Sequence, residues 1–278
     1  MVSDRKINLR KCMSVACSEY TKVICNPRMT ILPVLFVLIY DYVIKELVSE
    51  ANLIGTKIKV VEPFVAISNS YMLMLIIPVV YMAIMGDFPR VDGNSIYYLM
   101  RTGRRNWLLG QLFFCIISSV TYVLNIFFVS TILTLGKSVI SNKWSYVVSS
   151  FIDGRIYNNL KPMYAATVSI LMMILYLILI SMMLMMGFLY GKRAAGIALT
   201  ASLMCIGTVL VSIGSNIKWL FPQAHTLVWL HYDEVYNTHL FDMRYSFVYM
   251  IVLIVLMYVL NEALILNYDF TSMSDVEG

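Results

Sequence analysis

His225, His231 and His239 share one segment with Asp233, Glu234 and Asp242, and imidazoles beside carboxylates can hold zinc or move protons. Their spacing fits no metal pattern such as His-Glu-x-x-His, so they read as solvated or interfacial polar residues, and a metalloprotease is excluded. Gly136-Lys137-Ser138 resembles the end of a phosphate-binding loop, but Thr131 stands where the motif needs its first glycine. The chain therefore offers no nucleotide site of its own. Twenty methionines suggest copper(I), which takes soft thioether ligands. The pairs Met172-Met173, Met182-Met183 and Met185-Met186, however, stand in wholly apolar surroundings without Cys or His, where methionine serves as flexible packing. Cys12, Cys17 and Cys25 fit no zinc spacing, Cys115 and Cys205 lie in apolar stretches, and no disulfide framework follows. A serine or aspartyl intramembrane protease needs a buried Ser–His pair or paired aspartates, and the apolar stretches are expected to contain neither.

The elements around these residues are apolar. The chain is 60% hydrophobic and 13% charged, against about 45–50% and 25% for soluble domains. Six stretches stand out, over 28–48, 64–85, 107–135, 164–190, 194–214 and 246–266. Crossing about 30 Å of hydrocarbon takes about 20 apolar residues in a helix, and none of these stretches alternates as a barrel strand does. The expected fold is all-α: one polytopic membrane domain over 28–266 with six transmembrane helices. Residues 1–27 precede it as an amphipathic connecting helix, and 267–278 follow as a tail.

Lysine and arginine set the expected orientation. With both termini cytoplasmic, twelve basic residues face the cytoplasm and nine the outside, eight of them in the outer loops 49–63, 136–163 and 215–245 and Lys45 before the first, and the inner ones abut helix ends. The net charge of +5 is thus mostly topological, and nucleic acid is excluded as a partner. Over 5–25, Leu9, Met13, Ala16, Cys17, Tyr20, Val23 and Ile24 recur at helical spacing among Arg10, Lys11 and Lys22. That pattern predicts an amphipathic helix in the headgroup region, ended by Pro27, rather than a plain basic flank. In the inner loop 86–106, Asp92 or Asn94 can cap a short helix holding Ile96, Tyr97, Leu99 and Met100, which Gly103 ends. Such a helix suits docking into a groove on a soluble partner.

Two outer segments are rich in aromatics. Trp219-Leu220-Phe221-Pro222 and Leu227-Val228-Trp229-Leu230 are too short to span and predict re-entrant or interfacial helices; 136–163 is a weaker case. Charges within the stretches are few, which argues against an ion-coupled pump. Asp41 and Lys45 form a local pair, and Glu262 reaches the headgroups. Asn69 and Tyr71 in the second stretch and Thr200 and Thr208 in the fifth either pack helices or line a path.

With these elements in place, the chain resembles the permease subunits of ABC-2-type ABC transporters. The resemblance rests on Glu19, Lys22 and Asn26-Pro27 before the first stretch, on Arg104-Arg105 with Gly110-Gln111 at the third, and on Phe221-Pro222. It implies an energy source in a separate ABC ATP-binding subunit, which would bind ATP and Mg, with no cofactor in this chain. It also implies a second permease, as homodimer or related chain, a multi-pass place in the bacterial plasma membrane, and no enzyme activity of its own. Residues 5–25 and 88–101 would meet the ATPase, with Arg90, Asp92, Tyr97, Arg101, Arg104 and Arg105 as candidate contacts. Asn69, Tyr71, Thr200 and Thr208 would line the path of an amphipathic cargo, such as an antimicrobial peptide or a drug, leaving by alternating access. The alternatives are a non-transporting membrane sensor or assembly partner, and an intramembrane processing enzyme.

Overall fold

The computed structural model describes residues 7–90, 101–232 and 240–268. Among the described residues its regular structure is helical apart from one parallel pair of two-residue strands, β1 (Ile58–Lys59) and β2 (Ser138–Val139). The helices are α1 (Leu9–Ile24), α2 (Ile31–Ile39), α3 (Lys45–Ile54), α4 (Glu62–Ser68), α5 (Tyr71–Ile84), α6 (Arg104–Leu133), α7 (Gly154–Asn159), α8 (Pro162–Leu189), α9 (Arg193–Ile213), α10 (Pro222–Thr226) and α11 (Met243–Asn267). Among the described residues, four are long and apolar enough to cross a membrane: α6, α8, α9 and α11. The pair α4–α5 makes a fifth when counted as one broken span. The expected count was six.

The first stretch differs because its helix changes type. The chain is helical without a gap from Ile31 to Ile54, but Tyr40–Ile44 forms a π-turn between α2 and α3. Leu35, Ile39, Val43, Leu47 and Ala51 recur every fourth residue and are all buried. In an unbroken α-helix, at 3.6 residues per turn, that stripe would drift about 160° around the axis. The extra residue of a π-turn takes back about 100° and keeps the stripe on the core. The second stretch, expected as a single span, is instead two helices meeting at 82°.

Helix α8 is the centre of the bundle. Its sequence is apolar all round, and a helix of that kind must be enclosed; accordingly 72% of its most apolar window is buried, against 17% for α11. Met172, Met182 and Met185 are fully buried in its packing. Polar bonds pin its neighbours to it. The Tyr81 hydroxyl of α5 lies 3.0, 3.1 and 2.9 Å from Ser118 and Ser119 of α6 and Ser181 of α8, and Asn261 Nδ2 of α11 donates to the Met182 carbonyl. At the turn between α8 and α9, Gly187 and Gly196 bring the two backbones into direct contact.

Helix α1 lies along α6, with Val15 packed onto Gly110. Its buried face is Cys12, Val15, Ala16 and Glu19. The apolar face expected from sequence is therefore split. Ala16, with Tyr20 and Val23, packs inward, whereas Leu9 (65% exposed), Met13 (45%), Cys17 and Ile24 (49%) point away from the protein. An exposed row of this kind on a basic helix is what an interfacial helix presents to lipid.

Candidate functional site

Two ends of the bundle carry polar groups. At the Arg193 end, the segment after α5 is clamped between α1 and α9. Arg28 pairs with Asp87 at 2.8 Å, and Arg90 pairs with the other oxygen of Asp87 at 3.3 Å. Lys22 Nζ donates to the Arg90 carbonyl, and the Arg90 guanidinium returns a bond to the Lys22 carbonyl. Arg193 donates to the Pro89 carbonyl and lies over the Phe188 ring. Phe88 is buried against Phe114 of α6. The start of α6 is fixed in the same way: Asn8 N–H donates to Asn106 Oδ1 at 2.9 Å, and Lys11 Nζ donates to the Arg101 carbonyl.

These bonds sort the candidate contacts. Arg90 is turned into the clamp. Arg104 donates to the Leu266 carbonyl, and Arg105 pairs with Glu262 at 3.0 Å, so both hold α6 to the last turns of α11. Glu262, expected to reach the headgroups, has an arginine partner. The Arg101 side chain is exposed. Asp92, Tyr97 and the short helix expected around them lie outside the described residues. Sequence reading missed Arg28, Asp87 and Arg193 as members of this cluster; Asp87 before Pro89 and Arg28 after Pro27 were its visible signals.

At the opposite, Trp229 end, a cleft of about 1000 Å³ opens where the helices are irregular. Its walls include the π-turn residues Asp41 and Tyr42, the α4–α5 break at Asn69 and Tyr71, and Arg155 and Trp229. Asn69 holds the break in place. Its Nδ2 lies within bonding distance of the Val65 carbonyl, Ser68 Oγ and Ser169 Oγ, and its Oδ1 accepts from Val228 N–H at 2.9 Å. Tyr71 packs against Trp229 with ring centres 4.9 Å apart, and Arg155 covers Trp229 at 4.4 Å. Burial works against the Asp153 carboxylate, but the bonds from Arg155 outweigh it and hold its pKa below the usual carboxylate range. Tyr42 and Tyr71 remain half exposed. Asp41 and Lys45 form the expected pair, 3.0 Å apart at the surface. Glu62, fully buried, anchors the wall by accepting from Lys59 N–H, Ser145 N–H and the Ser145 hydroxyl. Asn69 and Tyr71 therefore share one cleft. Thr200 is buried beside a different cavity, and Thr208 donates to the Met204 carbonyl along its own helix.

The segment after α9 turns back between the helices, and Gln223 through Tyr232 are all buried. His225 and His231, expected to be solvated or interfacial, are 1% and 0% exposed, and His239, Asp233 and Glu234 lie outside the described residues. The two buried rings also form the Ser–His contacts expected to be missing: His225 Nδ1 and His231 Nε2 each lie 2.8 Å from Ser246 Oγ of α11. The remaining nitrogens meet the Trp219 and Leu227 carbonyls at 2.8 and 3.0 Å. Sequence could not join them, because the partners come from different segments. Ser246 is itself fully buried, and its two contacts fasten the segment to α11. Each carbonyl requires an N–H, and Ser246 brings one proton for two ring nitrogens. All four bonds are satisfied together only when one ring is doubly protonated.

Burial lowers the His225 pKa from its ordinary value, with the Trp219 carbonyl acting in the opposite sense. A ring that resists protonation when folded takes up its proton on unfolding. Its stabilising contribution is therefore complete above about pH 6.5 and is lost as pH falls below that. Thermal unfolding followed from about pH 8 to about pH 5 should show a Tm that drops on the acid side, and the drop should shrink in His225→Gln. An unchanged acid-side drop in that variant would contradict the assignment.

No protein-family model matches the chain, and neither a curated protein nor a solved structure is similar to it. The functional reading therefore rests on the two ends of the bundle.

Proposed function

We propose that the chain is the membrane subunit of a transport machine whose ATP-binding subunit is a separate polypeptide, as the ABC-2-type resemblance implies. The observation that carries this reading is the clamp at the Arg193 end. There α1, the segment Gly86–Arg90 and the head of α6 are bonded into one platform, and that platform faces the cytoplasm in the proposed arrangement. Force applied to it by a docked ATPase reaches the Trp229 end through α6 and the broken α4–α5 span, whose break forms the wall of the cleft. The stretch Ile31–Ile54 makes a sixth crossing and puts both termini in the cytoplasm. A second permease completes the path.

The cleft suits a cationic amphipathic cargo, for which a peptide is the best example. Tyr42 and Tyr71 offer exposed aromatic surface, and the carboxylates of Asp41, Glu46 and Asp153 outnumber the one guanidinium in the wall, that of Arg155. The direction proposed is outward. The reading is tested by Tyr71→Cys in a chain with its native cysteines replaced, labelled from outside native membrane vesicles with an impermeant thiol reagent. ATP trapped with vanadate should change the labelling rate several-fold, on the order of the populations shifted in alternating access. A rate indifferent to nucleotide would contradict transport and favour a sensor or assembly partner.

A further inference from the structure

The outward face of the stretch Ile31–Ile54 carries an ion pair. The stretch is helical without a gap, and at 1.5 Å per residue it is about 36 Å long. Asp41 stands about 15 Å from its start and Lys45 about 21 Å, so in a crossing both fall inside a hydrocarbon layer about 30 Å thick. Their side chains are 69% and 64% exposed. Val34, Val37 and Leu38 are exposed on the same side, one and two turns before Asp41. Ionised residues at such a depth face the interior of a bundle or a water-filled cavity, because lipid does not solvate them. The outer faces of α9 and α11 differ, for Ile206, Val209, Val252 and Leu256 stand exposed there and suit lipid. The face with Asp41 and Lys45 therefore calls for a polar cover. It also borders the cleft, whose wall includes Leu38, Asp41, Tyr42 and Glu46.

We propose that a second copy of this chain covers the face, with Asp41 and Lys45 of the two copies joined in one ring of four charges. The inference rests on the reading above, in which Ile31–Ile54 crosses the membrane and a second permease completes the path. Two identical chains inserted the same way round close on a two-fold axis along the membrane normal, which sets equal residues of the paired helices opposite each other. Asp41 then faces Asp41 of the second copy, with a lysine one turn beyond each. Helix side chains lean towards the N-terminus, so each Lys45 reaches back between the two carboxylates. The ring holds two positive and two negative charges and leaves no net charge in the contact. One face thus supplies both signs, the self-complementarity that an isologous contact requires. Val34, Val37 and Leu38 pack across the axis beside the ring. Seated there, the second copy closes the cleft along its Leu38–Glu46 edge, so two chains complete the site proposed for cargo.

The test co-expresses two differently tagged forms of the full chain, captures one tag in mild detergent and quantifies the other. Wild type should capture wild type. Asp41→Lys in both forms sets four lysines against one another, and Lys45→Asp in both sets four carboxylates. Like charges in contact cost several kcal/mol, so each of these pairings should lower recovery about tenfold or more. Asp41→Lys co-expressed with Lys45→Asp should restore it, although neither chain has regained its own ion pair. Loss of the pair within one chain cannot produce that rescue. As a second measurement, made before any detergent is added, Val37→Cys in a chain with its native cysteines replaced should form a disulfide dimer in oxidised native membranes. Undiminished recovery in the like-charged pairings, or no rescue in the mixed one, would overturn the proposal. So would a Val37→Cys chain that forms no adduct, or one whose mass is not twice that of the chain. None of these readings involves nucleotide. Rescue together with Tyr71→Cys labelling that ignores ATP would refute transport and leave the contact standing, and the opposite pair of results would refute the contact alone.

Discussion

Gly187→Leu should leave almost no folded protein in detergent extracts, because no side chain can be placed where α8 meets α9. A Cβ built on Gly196 would lie 2.6 Å from the Gly187 Cα, and one built on Gly187 overlaps the Gly196 Cα in the same way. Both obstacles are backbone, so neither can rotate aside. Relief requires the two helices to separate at the turn that joins them, and α8 is packed on nearly every side. Overpacking of a close-packed interior costs about 1–3 kcal/mol when side chains can adjust, and here the cost should exceed that. Gly187→Ala should show the same defect in milder form, with monodispersity on size exclusion and Tm as the readings. A Leu variant that elutes and melts as wild type does would show that the two backbones are farther apart than described.

Asn69→Leu should produce the second largest effect, and a local one. The side chain closes the 82° break by bonding to α4, to Ser169 of α8 and to Val228 of the returning segment. Leucine matches its size but leaves the Val228 N–H without an acceptor and Ser169 without its amide partner. Unpairing buried groups costs about 1–3 kcal/mol each, so a loss of about 3 kcal/mol is expected, read as a fall in Tm. Trp229, whose indole donates to the Asn69 carbonyl, should become more accessible to a soluble quencher. Asn69→Asp keeps the acceptor for Val228 and should recover part of the loss. If Leu and Asp were equally harmless, the bend would be held by packing alone.

Long apolar helices were legible in the sequence because hydropathy survives averaging. The stretches 107–135, 164–190, 194–214 and 246–266 became Arg104–Leu133, Pro162–Leu189, Arg193–Ile213 and Met243–Asn267. The break at Asn69 was not legible, because Ser68-Asn69-Ser70 lies within an apolar window whose average hides three polar residues. The π-turn was hidden for a related reason: a four-residue repeat of buried positions looks like ordinary helical spacing until its drift is followed over several turns. The buried histidines were misjudged because their character depends on Ser246, which reaches them from another helix. Arg104 and Arg105 look like orienting charges at a helix start, and only the fold reveals that Leu266 and Glu262 lie beside them. The short helices after α9, by contrast, were visible in the density of tryptophan and phenylalanine there.

These partners also determine which residue should be altered to test docking. Reversing Arg104 or Arg105 would loosen α11 from α6 and confuse misfolding with lost binding. Arg101 is exposed, and its internal bond comes from the backbone, where Lys11 donates to its carbonyl. Arg101→Glu therefore changes the face of the platform and leaves that bond in place. The decisive measurement is capture of the tagged full chain from its native membrane in mild detergent, as wild type and as Arg101→Glu, with co-purifying chains identified by mass. The account predicts an ATP-binding subunit that accompanies wild type and is depleted in the variant. A folded wild-type chain that emerges without any ATP-binding subunit would contradict it.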